Sequence, residues 1–455
     1  MEAQAELYKD VDAEALQADA DACMLHFGTD FEKDIVTHAQ GTSIYTAAGH
    51  GMLDWTSGQM SCLIGHGHPE IVATISAHAA CLDHLFSGML SPPAIALGKK
   101  LTSLLPDGLD KAFFPSTGGE SNEAAIKLAK SYTGKFEIVG LSASWHGVTG
   151  VAAGAQYHAG RTGHGPMMPG NLILPAPNSY RSIFRHADGS HDWQTELDYG
   201  FSLVDRASCG SLAALIVEPI LSSGGMLELP PGWLAAAKRH CDARGMLLIV
   251  DEAQTGIGRA GDWFAFSHHH GAADAHVVVP DILTLSKTLG NGLPLSAVVT
   301  SNAIAQVTRD RSFLFYTTHV NDPLPCAVGL KVLEIVERDN LVAHSAALGL
   351  KLQSALRTLQ ARYGCIGDVR GRGLMAGVEI VADRRETKAG APDVARAVAE
   401  RMAAKGLWAQ LSTMASFGGV FRLAPPLTTT AEELERGLAI MEEALSETEG
   451  TVPLY

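Results

Sequence analysis

Five short, almost wholly apolar runs bounded by turn residues constrain this chain more than any other feature. They are FEIVGL at 136–141, LAALIVEP at 212–219, MLLIVDE at 246–252, DILTLSK at 281–287 and LSAVVTS at 295–301. A strand with one wet face alternates apolar and polar residues, whereas a strand buried on both faces reads as a continuous apolar run. Stretches with helical spacing separate these runs, for example HPEIVATISAHAACLDHL at 68–85. Strands alternating with helices predict an α/β fold with a parallel or mixed sheet covered on both faces. An acidic lead-in helix is expected at 12–27, and short strands and turns over 33–65, ending in the polar loop TSGQMS. After about 325 a long helix leads into a second unit with DVRGRGLMAGVEIV, FRLAPPL and a closing helix at 430–447. Pro425 and Pro426 keep that LAPPL stretch out of helix. Three units are expected: an amino-terminal segment 1–70, a large domain 71–330 and a smaller C-terminal α+β unit 331–455.

Three pieces carry chemistry. Ser116-Thr117-Gly118-Gly119-Glu120-Ser121-Asn122 lies between a strand and a helix. Glycines let backbone N–H groups approach an anion, hydroxyls add donors, and the helix N-terminus supplies a favourable dipole. An ordinary helix N-cap with a flexible turn explains the same residues equally well. Asp251 ends the MLLIVDE strand, where open α/β sheets bind ligands. A carboxylate there would hold a ring nitrogen in its protonated form; a helix cap or a metal-binding Asp is the alternative. Lys287 ends DILTLSK, and a lysine closing an apolar run is costly to bury unless its amine is used. A desolvated lysine is a competent amine nucleophile. Taken with Asp251 and the 116–122 turn, a snorkelling surface lysine is the weaker explanation.

Composition excludes other classes. The formal net charge is -15 with no basic run, which argues against nucleic acid or an anionic membrane as partner. Seven scattered cysteines without a CxxC pair point to free thiols in a reducing compartment. The acidic N-terminus lacks a signal peptide's apolar core, and no run is long enough to span a bilayer, so a cytoplasmic location is expected. His268-His269-His270 reads as a solvated loop, because adjacent side chains diverge. His66 and His68, in GHGHP, read as turn and helix-entry residues.

With these motifs assembled, the chain resembles the class III (omega) aminotransferases among the fold-type-I pyridoxal phosphate (PLP) enzymes. The resemblance runs from about residue 28 to 445 and is strongest in STGGESNEAAI, SWHG, DEAQTGIGR, LTLSKTLGNGLPL and DVRGRGL. TSGQM, EPILSSGG and YTTHVNDP resemble the 2,2-dialkylglycine decarboxylase branch of that family. The resemblance implies a large domain with a mostly parallel seven-stranded sheet and a smaller C-terminal α+β domain. It implies PLP carried by Lys287 in a Schiff base, with Asp251 on the ring nitrogen and Gln254 on the phenolic oxygen. Trp145 would stack on the ring, and Thr117 and Gly118 would hold the phosphate. Thr318 from a neighbouring subunit would join them, which makes a homo-oligomer, at least a dimer, with shared active sites.

The implied substrates are a small amino acid and a keto acid. Arg422 would bind a substrate carboxylate as a bidentate fork, while Gln59 and Ser223 would contact the carboxylate that leaves. For a 2,2-dialkylglycine such as 2-aminoisobutyrate, the implied reaction releases carbon dioxide and passes the amino group to pyruvate. Plain transamination between an amino acid or amine and a keto acid is the alternative. The same resemblance implies an alkali metal ion, potassium or sodium, at Leu85, Ser87, Thr318, Val320 and Asp322. Oxygen-only ligands suit a hard cation. Glu218 is expected to partner Arg422 or an internal network.

Overall fold

The computed structural model describes residues 7–8, 11–28, 31–156, 166, 168–269, 278–384, 387–412 and 419–449. Seven strands form its central sheet, in the spatial order Lys111–Phe113, Ala297–Thr300, Ile282–Leu285, Leu247–Asp251, Leu212–Val217, Glu137–Leu141 and Asn171–Leu174. Ala297–Thr300 runs antiparallel to both of its neighbours, and the other pairings are parallel. The expected mostly parallel sheet is therefore present, and all five apolar runs contribute a strand to it. Asn171–Leu174, an edge strand with three partly or fully exposed positions, lacks the apolar continuity that marks the others.

Side chains alternate between the faces of a strand, and here both sets are buried. Val139, Leu215, Val217, Leu248, Val250, Leu283 and Leu285 join one apolar cluster. Their neighbours Ile138, Ala214, Ile216, Leu247, Ile249 and Ile282 join another, which is capped by Ala124, Ala125, Ile126, Leu128 and Ala129 of the helix Gly118–Thr133. Prolines open four helices, Pro69–Ala79, Pro92–Ser103, Pro323–Arg338 and Pro392–Ala404. A fixed φ and a missing N–H suit the first helical turn.

The C-terminal unit holds an antiparallel sheet in the order Ile366–Arg372, Met375–Ile380, Val420–Leu423, Gln410–Ser412. The 22-residue helix Leu341–Arg362, which the sequence reading left unassigned, leads into it. Leu407–Trp408 pairs parallel with Gly51–Asp54, and the Ala424 N–H donates to the Trp55 carbonyl at 2.6 Å. The segment that begins the chain is thus built into the unit that ends it. No described helix is long and apolar enough to cross a membrane.

The closing helix Ala431–Glu449 crosses Trp55 so closely that Gly437 has no room for a side chain. An added Cβ would lie 2.2 Å from Trp55 Cζ2, in a ring only 1% exposed. Helix propensity favours alanine over glycine by about 1 kcal/mol, while overpacking a rigid core costs roughly 1–3 kcal/mol or more. Gly437→Ala is expected to lower the thermal unfolding midpoint despite its better propensity. An unchanged or raised midpoint in calorimetry would show that the helix can shift away from the indole.

Candidate active site

The parallel strands Glu137–Leu141, Leu212–Val217, Leu247–Asp251 and Ile282–Leu285 end on one edge of the sheet. Trp145, Glu218, Asp251 and Lys287 follow or close these strands, so four residues far apart in sequence line a single cavity. Gly118, Gly119, Asn122, His146 and Gln254 complete most of its wall, and it measures about 450 Å³, part of it open to solvent. The carboxyl ends of open parallel sheets are where ligands bind.

Asp251 sits at the floor, 3% exposed. Its Oδ2 accepts from Asn122 Nδ2 at 2.7 Å and faces His146 Nδ1 at 2.9 Å, and its Oδ1 accepts from the Ala253 N–H at 3.0 Å. Asn122 is itself fixed, accepting from Thr284 Oγ1 at 2.7 Å and donating to the His146 carbonyl at 2.8 Å. His146 and Asn122 hold this carboxylate, yet the sequence reading gave neither of them a role. Their only signal was their place inside SWHG and STGGESN. Beside them, Glu218 accepts from the Trp145 N–H at 2.9 Å and the Ser222 N–H at 3.3 Å. Burial pushes its carboxyl up to about 7; His146 opposes the rise and Asp251 adds to it. Glu218 therefore belongs to the internal network and anchors the backbone of Trp145.

Lys287 lines the cavity with φ +30°, a left-handed backbone that non-glycine residues rarely adopt. Burial holds its amine below the usual lysine range; Asp251 pulls it back up and Arg422 pushes it further down. Gly118 opens the helix Gly118–Thr133, and Thr117 caps it through a reciprocal box with Glu120. The first N–H groups of this helix lie at the cavity wall. Gly147 at φ +134° brings the opposite loop close, for a Cβ there would stand 2.7 Å from Gly119 Cα. Thr117 itself is exposed and is not part of the wall.

Arg422, in the strand Val420–Leu423, is 6% exposed. Its Nη2 donates to Ser222 Oγ at 2.7 Å and Gln254 Oε1 at 3.0 Å. Its Nη1 donates to Oε1 of Gln410, its cross-strand partner, at 2.9 Å. Burial pulls the guanidinium down to about 10, against the pull of Glu218. Among the described residues no carboxylate forms an ion pair with it, and its buried Nε has no hydrogen-bond partner. An enclosed cation held by neutral groups suits an incoming carboxylate. The hydroxyl that meets it belongs to Ser222, while the predicted Ser223 next to it is half-buried.

Gln59 is exposed on a turn in which Ser57, Gly58 and Met60 all have positive φ. Met60 is buried, with its Sδ 3.7 Å from Arg422 Nη2, so the turn is packed against the arginine.

The residues expected to hold an alkali ion are not among those that line this cavity. Ser87 Oγ donates to the Thr317 carbonyl at 2.8 Å and the Thr318 carbonyl at 3.4 Å. The Asp322 carboxylate faces His84 Nδ1 and His319 Nδ1, each at 2.6 Å. Leu85 is half-buried, Val320 buried and Thr318 exposed. The two imidazoles on Asp322 have no counterpart in the oxygen-only set read from the sequence. His268 also differs from expectation. It lies in a short 3-10 helix, 2.6 Å from Asp262 and 3.1 Å from the Ala260 carbonyl, and is not a solvated loop residue. His270 lies outside the described residues.

The cavity offers a carboxylate fixed by three donors on its floor, a poised amine, an indole and a helix N-terminus. Such a donor set fits a cationic aromatic ring that carries an aldehyde and a phosphate. The buried His146 Nε2 finds no hydrogen-bond partner among the described residues.

Comparison with known proteins agrees with this geometry. Residues 29–445 match the family model for class III aminotransferases. An uncharacterised aminotransferase of Schizosaccharomyces pombe is 49% identical over 427 residues, 94% of each chain. An (S)-enantioselective omega-transaminase from Thermomicrobium roseum superposes with a TM-score of 0.87 at 29% identity, over 97% of this chain and 100% of that one. An amine transaminase from an uncultivated Pseudomonas species, solved in its PLP-bound form, gives 0.83 at 26% identity, over 93% and 98%. The chain belongs to the class III aminotransferases.

Proposed function

We propose that this protein binds PLP and transfers an amino group between an amino acid and a keto acid. The observation that carries this reading is the placement of Lys287 and Asp251 in one cavity wall, with Arg422 bonded to Gln254 of that wall. When bound, PLP supplies an aldehyde for amines and a ring that withdraws electrons. Asp251 would hold the proton on the ring nitrogen, with Asn122 and His146 fixing its carboxylate. Gln254, whose Oε1 accepts from Arg422, would offer its amide nitrogen to the ring's phenolic oxygen. Trp145 would cover one ring face and exclude water, and the Gly118 and Gly119 N–H groups would receive the phosphate. Arg422 grips the substrate carboxylate. Lys287 Nζ, its pKa lowered by burial, takes the proton from the substrate Cα and returns it on the other side of the transfer.

Met60, packed on Arg422, favours a finer second reading. The turn that carries Gln59 is held beside the carboxylate site, where an amide can orient a second carboxylate without the ground-state stabilisation of a cation. With a 2,2-dialkylglycine that carboxylate leaves as carbon dioxide, and Lys287 then delivers a proton. We further read Thr318 as a residue that serves the cavity of a second copy. It is exposed beside the exposed Leu314 and Tyr316, and Tyr316 packs on the exposed Phe86. On this reading Ser87, the Thr318 carbonyl and Asp322 flank a potassium or sodium site, with His84 or His319 giving way on the carboxylate.

Mixing the PLP-loaded protein with L-alanine, without keto acid, is expected to convert the cofactor to its pyridoxamine form with no gas released. Failure with every common amino acid would sink the transaminase reading. In the same cuvette 2-aminoisobutyrate decides the finer one: carbon dioxide equal to the acetone formed supports it, and no conversion removes it.

A further inference from the structure

In the turn Ser57–Met60, Ser57 has φ +50°, Gly58 +66° and Met60 +59°. Non-glycine residues keep such a backbone only where their surroundings over-determine it. Here the determinant is Asp54, which closes the strand Gly51–Asp54 and is 1% exposed. Its Oδ1 accepts from the Thr56 N–H at 2.9 Å and its Oδ2 from the Gly58 N–H at 2.6 Å. The same Oδ2 meets His66 Nε2 at 2.8 Å, and the ring donates because a carboxylate can only accept. The His66 backbone is held in turn by two hydrogen bonds with Gly41, both 2.8 Å. An amide in place of Asp54 would turn a donor toward one of these three donors.

The other side of the turn reaches Arg422. Met60 is 2% exposed, and its Sδ lies 3.6 Å from Ser222 Oγ and 3.7 Å from Arg422 Nη2. Ser222 Oγ is itself a partner of that guanidinium at 2.7 Å, so Met60 covers both the arginine and the hydroxyl that holds it. Ser57 Oγ donates at 2.6 Å to the carbonyl of Ala424, two residues beyond Arg422. The wholly buried Arg259 donates to Ser57 Oγ at 3.3 Å and to the Pro425 carbonyl. The turn is therefore bonded to the segment that follows Arg422 as well as packed on its side chain. Neither Asp54 nor His66 is among the residues that line the cavity, so what they do there passes through the turn.

We propose that Asp54 and His66 are positioning residues for the carboxylate subsite. They pin the strained turn, the turn seats Met60 on Arg422, and the guanidinium is fixed where it grips a substrate carboxylate. Ser222, Gln254 and Gln410 give that guanidinium neutral hydrogen-bond partners, and Met60 closes the side they leave. A side chain ordered in advance loses less entropy when its ligand docks. Loss of Asp54 or of the His66 donor frees the turn and misplaces Arg422 relative to the cofactor, and an error of about 1 Å costs on the order of 10²-fold. The inference rests on PLP binding and on the role given to Arg422 under the proposed function, and not on which reaction follows.

The test compares two reagents that capture the aldehyde of bound PLP whether or not turnover occurs. Aminooxyacetate carries a carboxylate and methoxyamine carries none. Capture is followed by absorbance in the PLP-loaded parent, Asp54→Asn, His66→Leu and His66→Gln. The parent is expected to take aminooxyacetate faster. That preference is expected to fall about tenfold or more in Asp54→Asn and His66→Leu, with the methoxyamine rate unchanged. His66→Gln, whose amide N–H can still reach Asp54, should recover it. Amide hydrogen exchange read by mass should quicken over residues 55–60 in the first two variants and not across the central sheet. An unchanged preference in both variants overturns the proposal, as does unchanged exchange over 55–60 or an equal slowing of both reagents. If Asp54→Asn does not fold, His66→Leu decides alone. A parent that takes both reagents at one rate refutes the role of Arg422 and this inference with it. A parent that prefers aminooxyacetate, with variants that keep the preference, refutes this inference alone.

Discussion

Lys287→Ala is expected to reduce amino-group transfer by about 10⁴-fold or more, because under the proposed function one side chain would supply both the covalent attachment of the cofactor and the proton carrier. Burial lowers the pKa of this amine, the change an amine needs to act as nucleophile and base near neutral pH. Its strained φ of +30° fixes where the amine enters the cavity. The variant should still bind PLP through Asp251, Trp145 and the helix N-terminus, but without the covalent link, so gel filtration should strip the cofactor. Single-turnover absorbance with L-alanine measures the loss, and an added small amine should restore part of the rate. Residual activity above about one hundredth of the parent would assign the proton transfer to another group.

Asp251→Asn is expected to cost on the order of 10²–10⁴-fold in kcat/KM, the range for removing a preorganised charge from a site that excludes water. The amide has the shape of the carboxylate and lacks its charge. The donors from Asn122 and His146 that now meet a carboxylate would meet a neutral group, one half of which is itself a donor. The ring nitrogen would lose the anion that keeps it protonated. A pH titration of the cofactor's absorption separates this effect from loss of binding, since only the charge effect moves the spectrum of the bound form. A kcat/KM within about threefold of the parent would remove Asp251 from the proposed chemistry.

Much of this was legible in the sequence because it is local. A run such as MLLIVDE states by its continuity that both faces are covered, and by its terminal acid where the cavity lies. The same holds for DILTLSK, and the capping box at Thr117 and Glu120 is written within four residues. Asn171–Leu174 escaped the reading because an edge strand carries half the burial and therefore half the signal. His84 escaped it because it lies 238 residues from Asp322, while His319, three residues before Asp322, was read only as part of YTTHVNDP.

By itself the sequence determined the sheet, the placement of Lys287 and Asp251 at the ends of its strands, and the glycine-rich helix start. Each follows from apolar continuity interrupted by one polar residue, a property of a few adjacent positions. Only the tertiary structure decided who meets Arg422. Its partners Ser222 and Gln254 lie 200 and 168 residues away in sequence. In a turn or strand a shift of one residue sends a side chain to the opposite face, so Ser222 and its neighbour Ser223 are indistinguishable until the strands are in register. The clamp of Asn122 and His146 on Asp251 and the packing of Met60 on Arg422 have the same origin. They are contacts between elements, set by how those elements pack.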